Sequence, residues 1–285
     1  MVQERALRQG HSGTSRVAVD PERLKALIAT YGSSRDLPPG CSVIHERSKD
    51  RGALLRVGSE SPASAGSAES GSLIVKFWLA RNFGERCKQL AGLSNGRREW
   101  RSHRHLYALG LALPEPMVYL NWSAGNARIE AFAAEDLGPT TKALTSLKVA
   151  IRANDAAEVA RIEAAVIALT RTMVAAGVTD VDHQLRNIVL TPDGRMFRLD
   201  VECAKRWLLG RIPDAALGVM IGRLITSHAY ACQPQLNWTE DFARRLASAL
   251  SPSRSVLRYA QKEIDTLMAR QQARQGIDSR LSLAW

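Results

Sequence analysis

A chain of 285 residues, 45% apolar and 24% charged, is long enough for one large or two smaller domains with cores of their own, and it excludes a collagen repeat, a wholly disordered chain and a disulfide scaffold. Four cysteines (Cys41, Cys87, Cys203, Cys232) never approach C-x-x-C spacing, which argues against a thiolate metal site or redox motif and suits a reducing cytosol. A formal net charge of +11 favours anionic partners, whether nucleic acid, lipid headgroups or a phosphorylated substrate, without choosing among them.

Residues 1–38 read as an N-terminal extension, predicted to be flexible, with one short apolar pattern at Leu24, Leu27 and Ile28. Val43-Ile44 and Leu54-Leu55 with Val57 predict two short strands around a turn at Asp50-Arg51-Gly52, followed by a Ser/Gly/Ala-rich loop over 58–72. Ser72–Trp78 is a β-rich strand with Lys76 in its middle. Gly96–Leu109 turns helical, Gly110 stops it, and 118–122 with 127–132 pair as a hairpin around Gly125-Asn126. After Gly138-Pro139 the pattern becomes helical: apolar residues at spacings of three and four run from Val159 to Met173, and further helices follow from Pro213, over 239–250 and over 252–272. Between them, 187–190 and 196–199 form a small hairpin around Pro192-Asp193-Gly194. The fold class is α+β in two lobes, a strand-rich unit over 39–137 and a helical unit over 138–285. No run approaches the roughly 18 apolar residues of a membrane span, and the first residues lack a signal peptide's apolar core, so the chain reads as soluble and cytoplasmic.

The small hairpin carries the chemistry. Asp182 and Asn187 have the D-x-x-x-x-N spacing of a kinase catalytic loop, and Asp200 follows at the end of the second strand. A carboxylate at the first position accepts the proton of an attacking hydroxyl, while an amide oxygen and a second carboxylate hold Mg²⁺ against a triphosphate. Upstream, Lys76 in a strand and Glu99 early in the next helix are the types that clamp the α/β-phosphates and hold the clamp in place. Singly each is an ordinary surface residue; all five in this order, on these elements, predict a two-lobed protein-kinase-like fold.

The sequence resembles the lipopolysaccharide-core kinases (heptose and Kdo kinases), a branch of the protein-kinase-like superfamily, over about residues 41–230. The likeness rests on Val75-Lys76, Arg98-Glu99-Trp100, Gly110 with Pro114-Glu115-Pro116, Glu135-Asp136-Leu137, Asp182…Asn187-Ile188 and Leu199-Asp200. It implies ATP and Mg²⁺ as cofactors, Lys76 and Glu99 as an ion pair, Asp182 as catalytic base, and Asn187 and Asp200 as metal ligands. Phe132–Leu137 becomes the hinge facing adenine, with Glu135 and Leu137 among its nucleotide-binding residues. The acceptor is then a sugar hydroxyl of the lipopolysaccharide inner core, reached at the inner face of the cytoplasmic membrane, where a basic protein meets anionic lipid.

The departures keep other readings open. The glycine-rich phosphate lid is poor, with only Gly52 and Gly58 over 45–58, which also fits a catalytically inactive pseudokinase acting as a binding protein. Asp180 stands where kinases have a histidine and is a second candidate for the base, and Asp200-Val201-Glu202 replaces D-F-G, placing Glu202 either at a metal or in water. No A-P-E follows, and the segment before Pro213 is too short to seat a peptide, so a sugar or a small alcohol of the aminoglycoside or choline type fits better. Lys205, Arg206 and Arg211 lie there, either to receive an anionic sugar or as a solvated basic loop. His103 and His105 lack a third ligand for a transition metal, and the tryptophans at 78, 100, 122, 207 and 238 are scattered as packing residues are. Nothing beyond charge points to nucleic acid, and no protein partner is identifiable.

Overall fold

The computed structural model describes residues 19–46, 52–58, 71–80, 82–125, 127–207, 210–275, 281 and 283. Asp50 and Arg51 of the predicted turn and most of the 58–72 loop lie outside them. The first lobe is a five-stranded antiparallel sheet built from β1 (Cys41–Glu46), β2 (Ala53–Val57), β3 (Leu73–Ala80), β4 (Pro116–Ala124) and β5 (Ala127–Glu135), in the order β1-β2-β3-β5-β4. Two helices, α2 (Phe83–Leu90) and α3 (Asn95–Ala108), lie between β3 and β4.

The predicted flexible extension is corrected over its second half. Residues Pro21–Ser34 form a helix, α1, whose entry Asp20-Pro21 is a strong start signal: the Asp20 carboxylate accepts from the amides of Glu22 and Arg23, and proline fits the first helical position. Leu24, Leu27, Ile28 and Tyr31 fall on one face and are buried against Leu55, Val75, Phe77 and Ile129 of the sheet. Tyr31 meets the Phe77 ring edge-on with centroids 6.0 Å apart. At about 1.5–3 kcal/mol per buried side chain, this face is part of the lobe's core and no loose tail. Residues 1–18 lie outside the described residues.

The second lobe opens with a two-residue strand β6 (Thr141–Lys142) and the helices α4 (Ala143–Arg152) and α5 (Ala156–Ala175). Three very short strands follow, β7 (Val178–Asp180), β8 (Ile188–Leu190) and β9 (Met196–Arg198), with a single 3₁₀ turn at Leu185–Asn187 between the first two. After them come β10 (Ala204–Arg206), α6 (Asp214–Cys232), α7 (Asn237–Leu250) and α8 (Arg254–Gln275). β8 pairs with β9 and β6, while β10 pairs with β7, so the loop carrying Asp182 and the segment after Asp200 are each stitched to the lobe by backbone hydrogen bonds. The core gathers Leu147, Ile162, Val166, Ile188, Ile221, Leu224 and Phe242. Helix α6 crosses α8 closely because Gly218 and Gly222 present no side chain: a Cβ on Gly222 would stand 2.7 Å from the Ala260 carbonyl oxygen.

Candidate active site

The alternation of β3 decides where Lys76 goes. Leu73, Val75, Phe77 and Leu79 point into the α1-covered core, so Lys76 emerges on the opposite face, under α3. Ser94 caps α3, accepting from the Arg97 amide at 3.4 Å and donating to the Glu130 carboxylate at 2.6 Å. Glu130 is completely buried on β5, accepts also from the Tyr119 hydroxyl at 2.9 Å, and lies under the positive end of the helix. Gly96 permits this approach, since a Cβ there would come 2.6 Å from Glu130 Oε2. One turn further on, Glu99 is buried with its Oε2 2.5 Å from Lys76 Nζ. Nothing in the sequence singled out Glu130, although β5 is buried on both faces from Ile129 to Ala134.

The lysine is shared with the second lobe: Asp200 Oδ1 lies 3.0 Å from Lys76 Nζ. Burial pushes the Glu99 carboxyl up, Lys76 opposes the rise, and Asp200 with Glu202 add to it. Lys76 therefore holds together carboxylates that would otherwise repel. Its ammonium also stands 5.4 Å from the centre of the Trp78 ring, on the same strand.

Asp182 leaves β7 at the start of the catalytic-type loop, half-buried. Its Oδ2 accepts from Asn187 Nδ2 at 2.8 Å, and its Oδ1 accepts from Gln184 Nε2 at 2.6 Å and from Arg186 Nη2 at 3.1 Å. Asn187 also donates to the Asp182 carbonyl at 3.0 Å, so the D-x-x-x-x-N spacing closes into a ring of contacts. With its amide nitrogen committed to Asp182, Asn187 keeps its side-chain oxygen as the acceptor left over for another ligand.

Beneath this loop sits a buried pair that the sequence did not reveal. Asp180 is fully buried and its Oδ2 lies 2.7 Å from Arg198 Nη2, while its Oδ1 accepts from the Asp182 amide at 2.8 Å. Arg198 is 2% exposed in its side chain and donates further to the carbonyls of Asp182 (2.8 Å), Asn187 (2.9 Å) and Leu199. One guanidinium thus ties the strand before Asp182, the loop, Asn187 and the residue before Asp200. Burial pushes the Asp180 carboxyl up and Arg198 counters it. Asp180, expected as a second candidate for the base, is sealed in this pair and faces no solvent. His183, beside it, is wholly buried, bonded to Thr170 Oγ1 at 2.9 Å and driven down to about 3 by burial, so it stays neutral.

Asp200 has φ +55°, the left-handed region that non-glycine residues seldom adopt, at the turn that brings its carboxylate back to Lys76. Glu99, Asp200 and Glu202 each place a carboxylate oxygen within 4.8 Å of the other two. Glu202 Oε2 is buried with no hydrogen-bond partner among the described residues. An orphaned carboxylate oxygen beside two others is a hard-oxygen donor set, which fits Mg²⁺.

At the hinge, the Glu135 amide donates to the Glu115 carbonyl at 2.9 Å, and Glu135 Oε2 accepts from the Glu115 amide at 3.3 Å. Asp136 is the anchor: its carboxylate takes Arg56 Nε at 2.7 Å, Ser72 Oγ at 2.6 Å and the Gly138 amide at 3.0 Å, pinning the crossing between lobes to β2 and β3. Glu135 is exposed and Leu137 half-buried at this crossing. His103 donates from Nε2 to the Pro114 carbonyl at 2.7 Å, packs edge-on against Phe132, and is pushed down to about 4 by burial, so it is a structural histidine. Of the basic residues after Asp200, Lys205 lies over the Trp207 ring at 3.9 Å and Arg206 meets His105 at 3.2 Å, while Trp207 donates to Thr179.

No family profile matches the chain, and no curated protein matches it. Among solved structures it is similar to one described as WaaP in complex with acyl carrier protein, with 17% identity and a TM-score of 0.49 over 87% of this chain and 92% of that one. It is also similar to the ROP18 kinase domain in complex with AMP-PNP and sucrose, with 14% identity and a TM-score of 0.46 over 89% and 92% of the two chains. Antiparallel sheet with its lysine, helix with its glutamate, hinge and helical lobe with an Asp…Asn loop together make this the two-lobed protein-kinase-like fold.

Proposed function

We propose that the protein is an ATP-dependent phosphotransferase whose acceptor is a sugar hydroxyl of the lipopolysaccharide inner core, heptose or Kdo, met at the inner face of the cytoplasmic membrane. The observation that carries the transferase reading is Lys76 bridging Glu99 at 2.5 Å and Asp200 at 3.0 Å, from two different lobes. Such a bridge sets a cation where the α- and β-phosphates of ATP are clamped, directly beside the carboxylate that would face a metal. Glu135 and Leu137 at the crossing between lobes are the adenine-side residues in this proposal. Asn187 and Asp200 would hold Mg²⁺, with Glu202 adjacent; the bound ion would neutralise charge developing on the phosphate oxygens.

Asp182 is the base. Gln184, Arg186 and Asn187 fix its carboxylate so that it orients the acceptor hydroxyl and takes its proton as the oxygen bonds to the γ-phosphorus and the bond to the β-phosphate oxygen breaks, releasing ADP. Arg198 and Asp180 keep that loop in register from below. The short segment between Asp200 and α6, stitched to β7 through Ala204–Arg206, leaves the mouth open to a compact acceptor, and Lys205, Arg206 and Arg211 set positive charge there for an anionic sugar. Retention of all five residue types, with Lys76 on Glu99 and Asp200 and with Asn187 on Asp182, favours an active enzyme over a pseudokinase.

The test is transfer of γ-labelled phosphate from ATP·Mg²⁺ to purified lipopolysaccharide core by wild type and by Asp182→Asn. Label in the core with wild type and a loss of at least about 10²-fold in the variant is expected. Transfer to an aminoglycoside or choline but not to core would reassign the acceptor; no nucleotide binding would leave a pseudokinase.

A further inference from the structure

Helix α2 and the loop after it expose apolar side chains that a soluble surface normally hides. Phe83 is 84% exposed, Leu90 67% and Leu93 65%, the largest exposures of any large apolar side chains among the described residues. Phe83, Cys87 and Leu90 stand at i, i+4 and i+7, one helical face, and Cys87 is exposed as well. The buried side of α2 is supplied by Gln89 instead, so the helix is turned with its apolar face outward.

The same segment is strongly basic. Residues 82–105 contain Arg86, Lys88, Arg97, Arg98, Arg101 and Arg104 against two acids, and one of those, Glu99, is buried on Lys76. Arg98, Arg101 and Arg104 are exposed along α3, and none has an ion-pair partner among the described residues. Arg56, Arg161, Arg186, Arg195, Arg223, Arg244 and Arg245, on other elements, each lie against a carboxylate. The stripe continues past the helix, because His105 contacts Arg206 on the strand that follows Asp200. Unpaired arginines thus run from the exposed apolar cluster toward the mouth of the candidate site.

We infer that the α2–α3 face is a docking surface for an anionic bilayer, with Phe83, Leu90 and Leu93 inserting at the headgroup boundary and Arg98, Arg101 and Arg104 on the lipid phosphates. Exposed apolar side chains followed along the chain by arginines without an ion-pair partner match an interface that is apolar inside and negative at its surface. No helix among the described residues is long and apolar enough to cross a membrane, so the contact is peripheral. It also turns the basic mouth after Asp200 toward the lipid.

The test is co-sedimentation of the full chain with vesicles of phosphatidylcholine alone and of phosphatidylcholine with phosphatidylglycerol, without ATP or acceptor, so that it reads independently of phosphate transfer. Binding only to the anionic vesicles is expected, weakening as salt rises. Replacing Arg98, Arg101 and Arg104 together by Gln should weaken partition roughly hundredfold. Phe83→Ser with Leu90→Ser should weaken it roughly tenfold or more at unchanged salt dependence. All five positions are exposed, and matching circular dichroism and melting curves with wild type would confirm that the variants fold. Absence of binding to anionic vesicles, or binding that neither set alters, overturns the inference. So does an effect of the arginine set without one of the apolar set, which describes a surface for a soluble acidic partner and not for a bilayer.

Discussion

Replacing Arg198 by Met removes the fully buried cation that ties the catalytic-type loop to Asp180, and the cost can be worked from its contacts. Asp180 and Arg198 are 0% and 2% exposed in their side chains, so the truncated variant leaves a buried carboxylate without its partner. Breaking such a pair from one side costs about 3–5 kcal/mol. The carbonyls of Asp182, Asn187 and Leu199 lose a charged donor as well, though loop relaxation lets water reach them. Against a total stability of about 5–15 kcal/mol for a domain, Arg198→Met should shift a urea unfolding midpoint sharply and sit near the folding threshold. Adding Asp180→Leu removes the orphaned charge, so the double variant should recover about 2–3 kcal/mol of that loss. Recovery of stability should not restore activity: both variants still lack the tether on the Asp182 and Asn187 carbonyls, so kcat should fall far more than the KM for ATP changes, because Lys76 and the hinge are untouched. A single variant costing under about 1 kcal/mol, the value of a surface pair, or a double variant no more stable than the single, would refute this account of Arg198.

Acid should destabilise the protein through its buried histidines. His103 and His183 are lowered from 6.5 to about 4 and about 3 by burial, so the unfolded state takes up protons that the folded state refuses; their contribution is complete above about pH 6.5 and is lost as pH falls toward those values. Each should cost about 1.4 kcal/mol per pH unit in that window, and His103→Gln should flatten the slope of urea midpoint against pH; parallel slopes would count against it. Glu99→Gln removes a carboxylate that burial disfavours while keeping a side chain of the same shape, so transfer should fall at least about tenfold with the melting temperature unchanged or raised. Gly222→Ala would ordinarily gain helix propensity, but its Cβ would meet the Ala260 carbonyl at 2.7 Å and Glu263 Cβ at 2.9 Å, so a loss of about 1–3 kcal/mol is expected in thermal melts.

The sequence was readable wherever one element carried its own signal. Lys76 lay in a strand of unbroken β-formers, α5 had its apolar residues at helical spacing, and Pro192-Asp193-Gly194 marked the β8–β9 hairpin; each falls where its local pattern put it. What was hidden depended on pairing across distance. The helix of Leu24, Leu27, Ile28 and Tyr31 reads as a tail in the sequence, because four apolar positions in a polar stretch look loose until a sheet is present to bury them. The strands β6, β7 and β10 are two or three residues long, below any periodicity, and exist because partners elsewhere in the chain complete their hydrogen bonds. Arg198 looked like one arginine among many in a basic protein; only the fold takes it out of water. Glu130 and Asp136 were likewise ordinary carboxylates until Ser94, Tyr119, Arg56 and Ser72 converged on them.

These hidden residues share a physical logic with the visible ones. In the usual catalytic loop a histidine two residues before the base provides a neutral anchor; here Asp180 takes that position, and a carboxylate cannot be buried there alone. Arg198, two residues before Asp200, supplies the compensating charge, and its fork is wide enough to reach three carbonyls besides. The exchange makes the spacing between Asp182 and Asp200 depend on an ion pair, and the same strand pairing that buries Arg198 also delivers Asp200 to Lys76. Asp182 stays accessible because its anchor has taken the buried position. Losing either member of the pair should therefore loosen Asp182 and Asp200 together, which a kinase with a histidine anchor would not require.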